Sequence, residues 1–242
     1  MLHDNVTPYK TADSKKEQVA QMFDNIAKRY DFLNSILSFG SHKIWRTKCV
    51  NLLKTKQPQI ILDVATGTGD FAIACEKLHP EKIIGIDISE GMMELGREKI
   101  KQLHLDKLIT LEHGNAETLN FPDNTFDAIV VGFGVRNFAN LEKGLTNLQR
   151  ILKPKGQMII LETSFPKNKF FKAIYNFGFS TLTPLVGKLF SKDKQAYNYL
   201  TNSVKAFPHN DNFVAILNKL NFKNTYFKSL GIGAAAIYYA EK

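Results

Sequence analysis

The chain has 242 residues, 44% hydrophobic and 23% charged, enough apolar material for one large domain or one domain with a sizeable insertion. Its 32 basic and 23 acidic residues leave a net charge of +9, which suits nucleic acid, an anionic substrate or an anionic membrane surface, or simply a basic exterior. Two cysteines, Cys49 and Cys75, make no disulfide framework and no metal spacing; the opening MLHDNVTPYK lacks a signal-peptide core, and residues 173–187 are too short and too polar to span a bilayer.

In chain order, Ser14 and Glu17 form a capping-box pair ahead of a helix in which Val19, Met22, Phe23, Ile26 and Tyr30 recur at helical spacing. A second helix is predicted from His42 to Leu53, and both carry many basic residues. From residue 59 the pattern becomes strand and helix in alternation. QIILDVA is a strand, with a helix from about Asp70. KIIGID is the second strand, followed by a helix capped by Ser89. LITLEHG and FDAIVVGF are the third and fourth strands. Leu141, Leu145, Leu148 and Leu152 mark the next helix, KPKG is a turn, and QMIILET is the fifth strand. Short apolar strands between amphipathic helices predict an α/β, doubly wound, mostly parallel sheet. After Ser164 the alternation stops in a segment rich in Phe and Lys. FKNTYFKS and AAAIYYA are read as two closing strands at an antiparallel edge.

Ligands of open α/β sheets bind outside the carboxyl ends of the strands. There the sequence places Asp63, Gly67, Thr68 and Gly69 after strand one, Asp87 after strand two, Asn115 and Ala116 after strand three, and Gly132, Gly134, Arg136 and Asn137 after strand four. Gly67 and Gly69 let the backbone approach a ligand, and Asp87 suits a ribose diol. GTGDFA also matches a dinucleotide fingerprint, which is weak alone. Asp70, at the start of the next helix, would repel a pyrophosphate, and Asp63 adds a second negative charge. Two carboxylates suit a ligand bearing an ammonium and a sulfonium, so S-adenosylmethionine is the expected cofactor and a dinucleotide the alternative. Asn115 and Ala116 are expected at its adenine edge.

Three stretches carry a family resemblance: YDFLNSILSFGSHKIW (Tyr30 to Trp45), FGVRN, and RILKPKGQMIILETS (Arg150 to Ser164). Over nearly its whole length the chain resembles the ubiquinone/menaquinone biosynthesis C-methyltransferases. Leu33 stands where that pattern has Met, Ile151 where it has Val, Lys155 where it has Gly, and Ala65 replaces the first glycine of the cofactor loop. The resemblance implies a Rossmann-like, seven-stranded methyltransferase fold. It implies methylation of a ring carbon of a polyprenylated quinol, either demethylmenaquinol or the benzoquinol precursor of ubiquinone. It also implies Thr68, Asp87, Asn115 and Ala116 as cofactor contacts. The chain is then one domain over residues 1–242: a helical cap (1–55), a cofactor core (56–164), a helical insertion for substrate and membrane (165–221), and a C-terminal hairpin (222–242).

On this reading Arg136 stabilises a developing phenolate and Asn137 orients a hydroxyl or a water. The alternative for Arg136 is an ion pair holding the loop, for instance with Asp31. His42 is either the general base or a packed, hydrogen-bonded histidine. Tyr30 and Asp31 either cover the cofactor or cap their helix. Phe165, Phe170 and Phe171 with Lys167, Lys169 and Lys172 either rest on an anionic membrane or close the core. The expected location is cytoplasmic, peripheral to the membrane. A homodimer is left open. The rivals are an RNA methyltransferase and a non-catalytic sensor of the cofactor; after strand four GFGV stands in place of the base-methylating pattern, no RNA-binding motif is recognised, and nucleic acid is not the expected partner.

Overall fold

The computed structural model describes residues 2–38, 40–164 and 194–242. Residues 165–193, which include the Phe- and Lys-rich stretch expected on the membrane, lie outside the described residues, as does most of the expected insertion. Seven strands form one sheet in the order β3-β2-β1-β4-β5-β7-β6. They are β1 (Ile60–Val64), β2 (Lys82–Asp87), β3 (Ile109–His113), β4 (Phe126–Gly132), β5 (Leu152–Thr163), β6 (Lys223–Leu230) and β7 (Ala235–Glu241). β1 to β5 pair in parallel. β7 runs antiparallel between β5 and β6, so the C-terminal strands form the predicted antiparallel edge.

The central strands are apolar without alternation because both faces are covered. Leu62, Val64, Ile129 and Val131 face one core, closed by α5 (Leu141–Ile151) and α7 (Asp211–Lys219). Ile61, Val130 and Ile159 face the other, closed by α2 (Ser41–Leu53), α3 (Asp70–Cys75) and α4 (Glu90–Gln102). Both cysteines are free thiols in this second core, where burial pushes Cys49 up to about 12. A third cluster joins α1 (Lys15–Leu37) to α6 (Lys194–Ala206) through Val19, Met22 and Tyr199.

The capping box forms as read: Ser14 N–H donates to Glu17 Oε2 at 2.9 Å. Two boundaries differ from the expectation. Leu152 belongs to β5 rather than to the preceding helix. The expected turn at KPKG lies inside β5, where the pairing slips from Phe126–Leu152 to Ala128–Gln157. Lys155 there takes a left-handed φ of 63°, and its N–H is satisfied by the carbonyl of Lys242. Among the described residues no helix is long and apolar enough to cross a membrane.

Candidate active site

β1 has β2 on one side and β4 on the other, so the strand order reverses between β1 and β4, the place where open α/β sheets bind ligands. Both strands leave the sheet there through a non-glycine residue in the left-handed region, Ala65 at φ 55° and Phe133 at φ 56°. Such turns are strained for residues with a Cβ and cluster at functional sites. Gly134 fits beside them because it lacks one: a Cβ there would lie 2.5 Å from that of Ala65.

The loop after β1 is fixed from below. Gly67 N–H donates to Asp87 Oδ2 at 2.8 Å, and Ser89 N–H to Asp87 Oδ1 at 2.9 Å. Burial raises the Asp87 carboxyl despite these bonds. Asp63 is fully buried. Its Oδ2 accepts from Thr66 Oγ1 at 2.6 Å and Ala72 N at 2.9 Å, while Oδ1 has no partner among the described residues. Burial pushes this carboxyl up to about 7. An open, buried carboxylate oxygen calls for a cationic donor. Asn115 caps a short turn by accepting from Glu117 N at 3.0 Å, and the carbonyl of Ala116 takes Asn147 Nδ2 at 3.0 Å.

These elements enclose a cleft of about 660 Å³, part of it open solvent. Of the residues expected to touch the cofactor, Gly67, Asp87, Asn115, Ala116 and Gly132 line it. Asp63, Thr68 and Gly69 stand outside its lining. The roof is α1, through Lys16, Val19, Phe23 and Tyr30.

Two carboxylates fasten that roof. Asp24 Oδ1 accepts from Ser89 Oγ at 2.6 Å and Gly91 N at 2.9 Å. Asp31 accepts from Thr68 Oγ1 at 2.8 Å and Lys99 Nζ at 2.7 Å. The Thr68 hydroxyl is therefore committed to the roof rather than to the cleft. Lys99 also reaches Asp70 at 2.8 Å, and Arg46 does so at 3.0 Å. Burial alone would raise the Asp70 carboxyl, but these two cations hold it below its ordinary value.

On the acceptor side, Arg136 is buried in the short turn after β4. Its expected partner, Asp31, is engaged elsewhere. The counter-charge is Glu162, fully buried on β5, with Nη1 to Oε1 at 2.6 Å. The pairing follows from register: Gly132 lies opposite Leu161, which brings the next residue of β5 level with the turn. Arg136 Nη1 also donates to the carbonyl of Phe133 at 2.7 Å. That carbonyl takes Asn137 Nδ2 at 3.4 Å as well, so both side chains hold the strained Phe133. Tyr199 on α6 donates its hydroxyl to Asn137 Oδ1 at 3.0 Å. Arg136 Nε is buried with no partner among the described residues. Asn137 and Phe133 line the cleft; Arg136 lies behind them.

His42 is buried on α2, shares a 2.7 Å hydrogen bond with Ser38 Oγ, and is outside the lining. Burial, helped by Arg46, lowers its pKa. Sequence reasoning missed Asp24, Lys99, Glu162 and Tyr199. Only Glu162 left a signal: a buried Arg at one strand end needs a carboxylate at the next.

An unpartnered Asp63 oxygen, the Asp87 carboxylate on the lining, and a floor of backbone and small residues fit the ammonium, ribose and adenine of S-adenosylmethionine. The fold is that of the S-adenosylmethionine-dependent methyltransferases. A solved enzyme of that kind from Thermotoga maritima matches it with a TM-score of 0.61 at 20% identity, over 92% of this chain and 99% of its own. The chain belongs to the ubiE/COQ5 methyltransferase family, whose pattern matches residues 11–242. It is similar to the demethylmenaquinone methyltransferase of Bacteroides fragilis, 46% identical over 99% of this chain and 98% of that one. It is also similar to the ubiquinone/menaquinone biosynthesis C-methyltransferase of Geobacter sulfurreducens, 41% identical over 98% and 93%.

Proposed function

We propose that this methyltransferase adds a methyl group to a ring carbon of demethylmenaquinol in menaquinone biosynthesis, at the cytoplasmic face of the membrane that holds the acceptor's prenyl tail. The full-length similarity to the Bacteroides fragilis enzyme carries this reading. The benzoquinol precursor of ubiquinone is the second acceptor, because the Geobacter sulfurreducens relative is named for both quinones.

Bound S-adenosylmethionine supplies an activated methyl group on a sulfonium. The chain's own residues supply alignment and charge placement. Asp87 accepts hydrogen bonds from the ribose hydroxyls, Asp63, buried beneath the loop after β1, attracts the ammonium by its charge from outside the lining, and Asn115 and Ala116 border the adenine. Val19, Phe23 and Tyr30 keep water off the reacting atoms. A phenol titrates near ~10, so its proton must leave for the ring carbon to become a nucleophile. Arg136 remains protonated and is not the base; a water takes the proton. Glu162 already balances the charge of Arg136. Arg136 therefore acts from behind the cleft lining, offering the developing phenolate a hydrogen bond from Nε relayed by a water rather than a free positive charge. Asn137, set by Tyr199, orients a hydroxyl or the water. His42, bonded to Ser38, braces the turn between α1 and α2.

Arg136→Lys keeps a cation for Glu162 and removes Nε. It should lower kcat about a hundredfold and leave the dissociation constant for adenosylhomocysteine unchanged. Full turnover would reduce Arg136 to scaffolding. Asp87→Ala should weaken adenosylhomocysteine; unchanged affinity removes Asp87 from the ribose role.

A further inference from the structure

The large hydrophobic side chains exposed among the described residues are Phe32, Ile44, Leu103, Tyr226 and Ile232. Leu103 ends α4 at the amino edge of the sheet, and Tyr226 stacks on Tyr239 with ring centroids 5.0 Å apart. The other three lie at the carboxyl edge, where the cleft is. Phe32 follows Asp31, which is bonded to the loop after β1. Ile44 is in the first turn of α2, the end opposite the one that leads into β1. Ile232 lies between β6 and β7, just before Ala235, which sits opposite Thr163 at the end of β5. Gly231 brings this loop against α2: a Cβ there would lie 2.8 Å from Trp45 Cζ2.

Ile232 is the telling residue. It has φ 55° and ψ 19°, a conformation disfavoured for a β-branched side chain, and it is flanked by Gly231 at φ 51° and Gly233 at φ 97°. Glycine would serve the turn at this position too, without strain. Instead the chain holds an isoleucine, 52% exposed, out in water. Strain kept to expose an apolar group indicates a use for that group.

The surroundings are basic. Between residues 28 and 48 stand Lys28, Arg29, Lys43, Arg46 and Lys48; Arg46 is paired with Asp70, and the one acid of the stretch, Asp31, with Lys99. Lys28, Arg29, Lys43 and Lys48 are exposed. Apolar tips in a cationic rim complement an anionic bilayer better than a protein surface.

We propose that this edge seats on an anionic lipid bilayer, with Ile44 and Ile232 entering the acyl boundary and the basic residues meeting the headgroups. The cleft then opens at the depth of a lipid's ring. The proposal rests on the quinol reading for its purpose and on this surface for its evidence.

The test is co-sedimentation of the full chain with vesicles of phosphatidylglycerol and phosphatidylcholine, against phosphatidylcholine alone. The wild type should bind the anionic vesicles and lose binding in high salt. Ile44→Ser and Ile232→Gly should each weaken partitioning on the order of tenfold. Ile232→Gly should melt no lower than the wild type, because glycine accepts the left-handed turn. Turnover with a short-tailed, water-soluble quinol should be unchanged in both variants. Equal partitioning of wild type and double variant would overturn the proposal. So would a wild-type dimer in sedimentation that Ile232→Gly dissociates, since a second copy would then be the occupant. Vesicle binding that depends on these residues, in a protein that methylates no quinol, would uphold the surface and overturn the proposed acceptor.

Discussion

Removing one member of a buried ion pair leaves the other charged where nothing solvates it. Arg136 and Glu162 are such a pair, whereas Lys219 and Glu142 form an exposed one. Glu162→Ala should therefore cost about 3–5 kcal/mol of folding stability in urea titration, and Glu142→Ala no more than about 1 kcal/mol. Asp63 makes a pH-dependent claim. Burial lifts its carboxyl to about 7, and a ligand ammonium bound nearby in the cleft would favour the ionised form. Affinity for adenosylhomocysteine should be full above pH 7 and fall as the pH drops through it. The sign is opposite for folding. The folded chain favours the protonated acid, so this group's stabilisation is present at low pH and is lost as the pH rises through about 7. Calorimetry across this range with Asp63→Asn should show a flat affinity. A pH dependence identical to wild type would remove Asp63 from the ammonium role. Ala65 and Gly134 are coupled by space. Gly134→Ala should lower the melting temperature, and adding Ala65→Gly should recover part of the loss, because it removes the Cβ that lies 2.5 Å away.

At the scale of elements, α1 is a roof tied at two points, Asp24 to the start of α4 and Asp31 to Thr68 and Lys99. Cutting one tie loosens the roof without touching the floor. Asp24→Ala should raise the dissociation rate of adenosylhomocysteine in stopped flow, with a smaller change in the acceptor's KM; an unchanged rate would mean that α1 does not limit exchange. The strands were legible in the sequence because β1, β2 and β4 are short, apolar and buried on both faces, a pattern few other elements share. The KPKG turn was misread because its irregularity lies inside a strand that pairs with β4 on both sides of it and with β7 directly after it. Composition marks a turn there, but only tertiary pairing decides whether the strand resumes. Five of the expected cofactor residues line the cleft, Gly67, Asp87, Asn115, Ala116 and Gly132, because loop position after a parallel strand translates directly into place. Thr68 does not, because its hydroxyl is claimed by a helix 37 positions earlier. Tyr199 was invisible for the same reason, its role coming from a distant helix that no local spacing encodes, whereas Glu162 was legible only through the need of a buried Arg136 for a carboxylate on the next strand.

At the scale of the whole molecule, the sheet gathers the residues proposed for donor and acceptor at one edge. β1 to β3 end in the groups that suit S-adenosylmethionine. The turn after β4 carries Arg136 and Asn137, and the end of β5 carries Glu162. The roof closes over both, and the exposed apolar residues stand at the same edge. On the proposed reading the acceptor enters from that edge and receives the methyl group there. The most direct measurement is mass spectrometry of the product formed by the purified chain, S-adenosylmethionine and a short-tailed demethylmenaquinol. A single methyl group on the quinol ring, with one adenosylhomocysteine released per product, is the predicted result. An unmodified quinol, beside a donor consumed on some other acceptor, would contradict the account.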